Sequence, residues 1–223
     1  MNSKEDLKKY VLSHGCCSPE ENLRIYEEWF ANSPRYLFRA VDRKYGITRK
    51  KLCDVGCAYG ANLFCCASDS YGIEIDQEKV LFANSLGLKV YQRNIENEGI
   101  QGIPDAEVIW CSAVLEHVDS QYIFLTRLRS LLKQDGLLIL YVPVIPLFPF
   151  LQNMPKIGKY VSGYRDKGHT MAFVPSTLKF ICEQAGFKTI ELSPSYPGFL
   201  SLLNHMPIAN RLTGRCVYVG QKT

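Results

Sequence analysis

Apolar positions along this chain change their spacing near residue 50. Over residues 3–45 they recur at helical intervals, and the run Ser18-Pro19-Glu20-Glu21 is typical of a helix start. After residue 50, short apolar runs alternate with stretches of helical periodicity. The runs predict strands at 51–55, 71–75, 89–93, 106–111 and 137–142, and the stretches predict helices at 61–67, 77–86 and 121–132. A helical part, residues 1–48, therefore precedes an alternating α/β region.

The alternation of strands and helices predicts a parallel sheet, because parallel neighbours need a crossover that is usually a helix. Residues 143–174 are rich in proline and aromatic residues and predict an inserted loop. A helix at 175–185 and two strands, at 187–192 and 215–220, follow that loop. We expect one α/β domain over residues 1–223. Its fold should be Rossmann-like and doubly wound, with a mostly parallel seven-stranded sheet and an antiparallel final strand.

Composition limits the classes of function. The chain has 223 residues, of which 47% are hydrophobic and 22% charged, and its formal net charge is +4. The basic residues are scattered and form no stripe with interleaved aromatics, which argues against nucleic acid as the substrate. The first ten residues are polar, and the longest uncharged stretch, 136–155, contains four prolines. We therefore expect no transmembrane segment and a cytoplasmic protein.

Nine cysteines are many for this length, but no two have the C-x-x-C spacing of common zinc sites. Two pairs are vicinal, Cys16 with Cys17 and Cys65 with Cys66. The pattern favours small, mostly buried apolar residues in a reducing compartment over ligands of a metal. We accordingly predict no metal site from this sequence.

The densest motif lies at residues 51–60, KLCDVGCAYG, and is followed at 71–76 by YGIEID. A small-residue loop from Gly56 to Gly60 after a buried strand allows backbone N–H groups to approach a nucleotide closely. Glu74 ends the second strand, where a carboxylate can accept hydrogen bonds from both hydroxyls of a ribose. The two segments predict a pocket for an adenosine-bearing cofactor. A nicotinamide cofactor is one candidate, but the G-x-G-x-x-G pattern fails at Ala58 and Ala61.

Five motifs in this order and spacing resemble class I S-adenosylmethionine-dependent methyltransferases. They are DVGCAYG, GIEID, IWCSAVLEHVDS, LTRLRSLLKQDGLLILYVP and GHTMAFVPSTLKFICEQAGF, and the resemblance covers about residues 51–223. It is strongest to the small-molecule branch related to quinone-biosynthesis methyltransferases. The resemblance implies S-adenosyl-L-methionine as cofactor. It also implies methyl transfer to an oxygen or nitrogen of a small-molecule acceptor.

The resemblance implies a role for each residue of the cofactor site. Asp54 would contact the amino end of the methionine moiety, Glu74 the ribose, and Asn94 the exocyclic amine of adenine. The other implied cofactor-binding residues are Gly56, Cys57, Ala58, Gly60, Ile75, Ile95, Ser112 and Ala113. Structural roles stay open for two of these residues, because Asp54 can cap the loop and Asn94 can be a turn residue. Helix capping, the alternative for Glu74, suits Asp76 better.

Two features depart from the family pattern. Ala58 stands where the family usually has the middle glycine, and alanine disfavours positive φ. The span from Gly60 to Glu74 is also a few residues shorter than usual, which predicts a clipped first helix or second strand. A methyltransferase-like binding protein without catalysis is therefore a second interpretation.

Two histidines are candidates for a catalytic base. His117 follows the fourth strand, and His169 lies in the GHT motif after the fifth strand, on the acceptor side if the resemblance holds. Their alternative role is to cap, pack or order a loop. The apolar run 142–151 predicts either a lid over a hydrophobic or aromatic acceptor or a loop edge on the core. We expect the whole segment 143–174 to be mobile without ligands and to close over the acceptor.

Overall fold

The computed structural model describes residues 3–33, 35–145, 153, 168–194 and 214–223. Within them the chain forms two compact units, Met1–Asn94 and Ile95–Thr223. The helices are α1 Lys4–His14, α2 Pro19–Ile25, α3 Tyr36–Tyr45, α4 Gln77–Ser85, α5 Ile95–Glu98, α6 Gln121–Leu131 and α7 Pro175–Gln184. The strands are β1 Leu52–Val55, β2 Tyr71–Glu74, β3 Val90–Gln92, β4 Ala106–Ser112, β5 Leu132–Pro143, β6 Phe187–Pro194 and β7 Arg215–Lys222.

The strands form one seven-stranded sheet in the order β3-β2-β1-β4-β5-β7-β6. β2 pairs in parallel with both β1 and β3, and β4 pairs in parallel with β5. β7 runs antiparallel to both of its neighbours, β5 and β6. This topology confirms the predicted Rossmann-like fold, including the antiparallel final strand. The prediction of a single domain stays a prediction.

One of the N-terminal helices, α2, begins where the sequence predicts. Ser18 accepts a hydrogen bond from the backbone N–H of Glu21, and Pro19 occupies the first turn of α2. Apolar residues of α1, α2 and the helical segment Tyr26–Phe30 pack with α4 in one cluster inside the first unit. Its buried members are Val11, Ile25, Tyr26, Phe30, Phe82 and Leu86. The helical spacing of the N-terminal part is thus the spacing of a buried face.

The connection from β1 to β2 contains no α-helix, so the prediction of a helix over residues 61–67 is wrong. One 3₁₀ turn, Leu63–Cys65, stands in its place. The physical reason is length, because residues 56–70 must hold both the glycine-containing loop and the return to β2, and a helical crossover needs more chain. Tyr59, Ala61 and Phe64 pack against the N-terminal cluster instead. The expected shortening of the first helix is confirmed, because only this 3₁₀ turn remains in its place.

The second unit is built on long strands. β5 begins at Leu132, five residues before the predicted start, so residues 133–136, which separate the predicted helix from the predicted strand, lie inside the strand. Asp135 there has a φ of 63°, and the register with β4 shifts between Ala106 and Val108. Residues 133–136 therefore form a bulge in a continuous strand.

Most of the segment predicted to be a lid, residues 146–152 and 154–167, lies outside the described residues. Lid closure stays a prediction. Among the residues that the structure does describe, no helix is both long enough and apolar enough to cross a bilayer.

Candidate functional site

The loop after β1 winds through left-handed backbone conformations. The φ angles are 71° at Gly56, 48° at Ala58 and 77° at Gly60. The backbone N–H of Gly56 donates to the carbonyl oxygen of Ile73 at 2.8 Å, which joins the loop to β2. The φ of Gly60 favours glycine there, and a Cβ atom at this position would come within 2.7 Å of the Leu88 side chain, which would have to shift. The backbone is thereby held in the tight turn that the motif predicts.

Glu74 is the anchor of this loop. Its side chain is only 7% exposed, although the residue is an acid at the end of a strand. One carboxylate oxygen, Oε2, accepts from the backbone N–H of Ala58 at 2.8 Å. The other, Oε1, accepts from the N–H groups of Ile75 at 2.9 Å and Asp76 at 3.1 Å. Three backbone donors from two loops thus converge on one buried carboxylate.

The residues after Glu74 divide their roles as the sequence indicates. Asp76 is the N-cap of α4, and its side chain accepts from the N–H groups of Glu78 and Lys79. Lys79 also forms an ion pair with Asp76 at 2.9 Å and holds the pKa of that carboxyl below its usual range. Ile75 has a side chain that is 61% exposed. Asp76 therefore caps α4, and Glu74 instead holds the loop after β1 through its carboxylate.

Asp54 is buried in β1, two residues before the loop, and is only 2% exposed. Its Oδ2 accepts from the side-chain amide of Asn62 at 3.2 Å. Burial raises the pKa of the Asp54 carboxyl to about 7; the nearby charge of Glu74 acts in the same direction, and the Asn62 hydrogen bond opposes them. A cation that approached this carboxyl would lower the pKa again and favour the charged form. No motif in the sequence points to Asn62, which immediately precedes the 3₁₀ turn Leu63–Cys65.

Cys57 packs as an apolar residue. Its side chain is buried and fills the space left by Gly72, which has no Cβ atom. Burial is the main cause that raises the pKa of the Cys57 thiol well above its usual value, and the nearby acids add to it. A thiol held protonated in this way is a poor nucleophile.

The remaining predicted cofactor residues lie at strand ends, as the motif order implies. Asn94 is partly buried and follows β3 by two residues. Ile95 is buried and begins α5 in the second unit. In that unit, Ser112 ends β4 and Ala113 follows it with a φ of 56°. The N–H of Ala113 donates to the carbonyl oxygen of Tyr141 at 2.8 Å, which holds this unfavourable conformation in place.

Replacing Ala58 by glycine should raise the free energy of unfolding by about 0.5–1 kcal/mol. The substitution relieves a left-handed alanine, which costs about 1–2 kcal/mol, and the greater freedom of glycine in the unfolded chain offsets part of this gain. Urea unfolding checks the difference. Ala61→Gly is the matched control, because Ala61 lacks a positive φ and packs on the N-terminal cluster. It should lower the stability, and a lower stability for Ala58→Gly would contradict the account.

The two candidate histidines meet in the second unit. Their rings have centroids 4.7 Å apart and an interplanar angle of 77°. His117 is exposed and belongs to a 3₁₀ turn, Leu115–His117, whose central residue Glu116 is buried. His169 is partly buried, and its Nδ1 atom has no hydrogen-bond partner among the described residues. The sequence indicates each histidine separately, but it does not indicate that the two rings are in contact.

Backbone hydrogen bonds hold the two histidine segments together. The N–H and the hydroxyl of Thr170 both donate to the carbonyl oxygen of Glu116, at 2.8 Å and 3.1 Å. The same hydroxyl approaches the carbonyl oxygen of Val118 at 2.6 Å. Nδ1 of His117 lies 3.0 Å from the carbonyl oxygen of Gly168. Thr170 is therefore a structural determinant of the cluster that the sequence analysis missed.

The strand order, the left-handed loop after β1 and the buried acid at the end of β2 define a Rossmann-like α/β protein with a nucleotide-type loop. The sequence matches the family described as "Methyltransferase domain" over residues 24–192. The chain belongs to this methyltransferase family. No curated protein matches the sequence significantly.

Solved structures share the fold at low sequence identity. A SAM dependent methyltransferase from Archaeoglobus fulgidus is 19% identical with a TM-score of 0.60, over 89% of this chain and 98% of its own. A S-adenosylmethionine-dependent methyltransferase from Clostridium acetobutylicum is 11% identical with a TM-score of 0.61, over 91% of this chain and 98% of its own. The cyclase SpnF is 18% identical with a TM-score of 0.58, over 83% of this chain and 80% of its own. Since SpnF is a cyclase, the fold alone does not fix the reaction.

Proposed function

We propose that this chain is an S-adenosyl-L-methionine-dependent methyltransferase that acts on an oxygen or nitrogen of a small molecule. The observation that carries the proposal is the loop after β1. In that loop a non-glycine residue is held at positive φ by a hydrogen bond to the buried Glu74 carboxylate. A strained backbone persists only where its surroundings determine it, and such positions cluster at functional sites. Membership of the methyltransferase family supports the same function.

Within the first unit, the proposed cofactor contacts follow the chemistry of the side chains. Asp54 offers a buried carboxylate for the methionine ammonium group. Glu74 accepts from the ribose hydroxyls, since a carboxylate has more acceptor positions than its three backbone donors use. Asn94 accepts from the adenine amine through its amide oxygen. Gly56 and Gly60 let the loop backbone approach the cofactor closely.

In the second unit, Ser112 and Ala113 supply backbone groups for the cofactor at the end of β4. Open α/β sheets bind ligands at the carboxyl ends of their strands. Ala113 is the second non-glycine residue at positive φ that coincides with a proposed cofactor position. Ile95 offers a buried apolar side chain for the adenine ring.

The reaction is an in-line displacement. When bound, S-adenosyl-L-methionine would supply the methyl group on its sulfonium to the acceptor oxygen or nitrogen, with S-adenosylhomocysteine as the leaving group. The protein contributes mainly by aligning the nucleophile, the methyl group and the sulfur. The acceptor's proton passes to His117 or His169, because an imidazole ring is the side chain that most often acts as a general base in enzymes.

A hydrophobic or aromatic acceptor fits the apolar composition of residues 142–151. A screen of small molecules with methyl-labelled S-adenosyl-L-methionine would identify the acceptor, and label in a new O-methyl or N-methyl product is the expected result. Label in a carbon–methyl product would contradict this part of the proposal. Binding of S-adenosylhomocysteine without transfer to any acceptor class would favour the non-catalytic binding protein.

Replacing His169 by alanine should lower turnover at least tenfold and change the affinity for S-adenosylhomocysteine less than twofold, because His169 is proposed to act on the acceptor side only. Steady-state kinetics with the identified acceptor and calorimetry with S-adenosylhomocysteine measure the two effects. His14→Ala is the matched control, since His14 is an exposed histidine on α1. Equal losses in turnover and cofactor affinity would contradict the acceptor-side role.

A further inference from the structure

A carboxylate and two imidazoles converge at the turn Leu115–His117. Glu116, His117 and His169 each offer one ligand atom, and the three atoms all lie within 4.8 Å of one another. Ligands of a tetrahedral zinc ion, at about 2.0–2.2 Å from the metal, are about 3.4 Å apart. Small side-chain rotations therefore bring the three atoms to metal-binding distances. We propose that these residues form a binding site for a divalent metal ion.

The backbone fixes the three ligands relative to one another. Glu116 and His117 are adjacent in one turn, whereas His169 comes from a distant part of the sequence. Thr170, the neighbour of His169, donates its N–H and its hydroxyl to the carbonyl oxygen of Glu116. The N–H of Met171 points to the same oxygen at 3.4 Å. A site held by such contacts is largely formed before the ion binds, which reduces the ordering cost of binding.

The hydrogen bond of His117 selects the tautomer that a metal requires. Nδ1 of His117 lies 3.0 Å from the carbonyl oxygen of Gly168, and a carbonyl oxygen can only accept. Nδ1 therefore carries the proton, and Nε2 keeps its lone pair for a ligand. Histidines that bind metals usually donate their other N–H to a carbonyl or a carboxylate in this way.

The burial of ligand atoms at this site independently favours the binding of a cation. The Nδ1 atom of His169 is buried without a hydrogen-bond partner among the described residues, and an unsatisfied buried polar atom destabilises the fold. Coordination of a metal would satisfy that nitrogen. The side chain of Glu116 is only 1% exposed, and a bound cation stabilises a carboxylate that is withdrawn from water.

The chemistry of the three ligands restricts which metal ions the site can bind. Two imidazoles with one carboxylate suit Zn²⁺ and divalent first-row metals such as Mn²⁺ and Fe²⁺, and three protein ligands leave coordination positions for water or a substrate oxygen. The site contains no thiolate, which distinguishes it from any site built on the cysteines. This inference rests on the cluster alone and does not require the proposed methyl transfer. A nitrogen atom of His117 or His169 that binds a metal ion cannot at the same time take a proton from the acceptor.

Calorimetry with Mn²⁺ on metal-free protein tests the site. Mn²⁺ is the first probe because it prefers nitrogen and oxygen ligands to the free thiols that this chain also carries. We expect one Mn²⁺ per chain. Each of Glu116→Gln, His117→Gln and His169→Gln should weaken the binding at least tenfold. His14→Gln and Glu98→Gln, which change the same residue types elsewhere in the chain, should leave it within twofold.

Zn²⁺ is the second probe, and it is titrated into Cys16→Ser/Cys17→Ser/Cys65→Ser/Cys66→Ser protein so that the vicinal thiols do not compete. Circular dichroism shows which variants fold, and any one of the three ligand variants that folds is sufficient for the test. Wild-type protein that binds neither ion would overturn the proposal. Binding that is unchanged in every folded ligand variant would also overturn it.

Calorimetry with S-adenosylhomocysteine on the same variants separates the two proposals. If the ligand variants lose Mn²⁺ but keep the cofactor product, the metal site stands whatever the reaction is. If wild-type protein binds Mn²⁺ but not S-adenosylhomocysteine, the proposed function fails and the metal site stands. A chelator adds a further distinction between the two roles. It should remove the bound ion, whereas a histidine that acts only as a base is insensitive to a chelator.

Discussion

Replacing Glu74 by alanine should weaken the binding of S-adenosyl-L-methionine by about 1.5–3 kcal/mol, the range for hydrogen bonds to a charged group. This corresponds to a dissociation constant that is roughly 10-fold to 150-fold higher. Two losses combine in the variant. The ribose hydroxyls lose their acceptor, and the loop loses the bond from the Ala58 N–H to Oε2 of Glu74. Calorimetry at constant pH measures the change.

Two further variants separate these losses. Glu74→Gln keeps one acceptor oxygen, so it should retain more loop order than Glu74→Ala while it still loses charge at the ribose. Glu78→Ala is the matched control, because Glu78 is an exposed acid in the first turn of α4. It should leave the affinity within about twofold, well under 1 kcal/mol. An unchanged dissociation constant in folded Glu74→Ala protein would contradict the role of Glu74.

Replacing Asp54 by asparagine should weaken cofactor binding and remove most of its pH dependence. In the wild type the pKa of Asp54 is raised to about 7, mainly by burial, so the carboxyl is largely protonated at pH 5.5. The methionine ammonium group requires the charged form. Binding should therefore tighten roughly tenfold from pH 5.5 to 7, below the ordinary α-amino pKa of about 7.7–8.0. An equally steep pH dependence in Asp54→Asn would contradict the contact.

The carboxyl of Asp54 should lower the free energy of unfolding as the pH rises, whereas the same rise in pH should strengthen cofactor binding. Because its pKa in the folded state lies above the value of 3.8 that is normal for aspartate, the folded state retains a proton that the unfolded state releases. The contribution of this group is therefore complete below about pH 4 and is lost as the pH rises through about 7. Asp54→Asn keeps an acceptor for Asn62 and avoids a buried charge. Without cofactor it should unfold at a higher urea concentration than the wild type at pH 8.

The parts of the site that lie within one continuous motif could be predicted from the sequence. Gly56, Gly60 and Glu74 are close in sequence, and the conformations they need are local properties of a strand, a turn and a second strand. Asp76 was distinguished from Glu74 by the helix that follows it, and its capping bonds confirm that distinction. Local chemistry was sufficient to predict these conformations and the capping by Asp76.

The errors arose where chain length or tertiary contacts decide the structure. The apolar residues of segment 61–67 look helical, but the connection to β2 is too short for a helix, and Phe64 packs on the N-terminal cluster. Residues 133–136, which separate a predicted helix from a predicted strand, form a bulge because pairing with β4 continues on both sides of them. Glu116 and His169 are brought together by hydrogen bonds of Thr170, which no local pattern reveals.

Binding of S-adenosylhomocysteine, the product of S-adenosyl-L-methionine, most directly tests whether this chain binds that cofactor. Saturation-transfer NMR with S-adenosylhomocysteine and with a nicotinamide dinucleotide, each added to wild-type and Glu74→Ala protein, compares the two cofactor classes under one condition. We expect signal from S-adenosylhomocysteine with the wild type, a much weaker signal with Glu74→Ala, and none from the dinucleotide. A folded wild-type protein that gives no signal with S-adenosylhomocysteine, or an equal signal with the dinucleotide, would contradict this expectation.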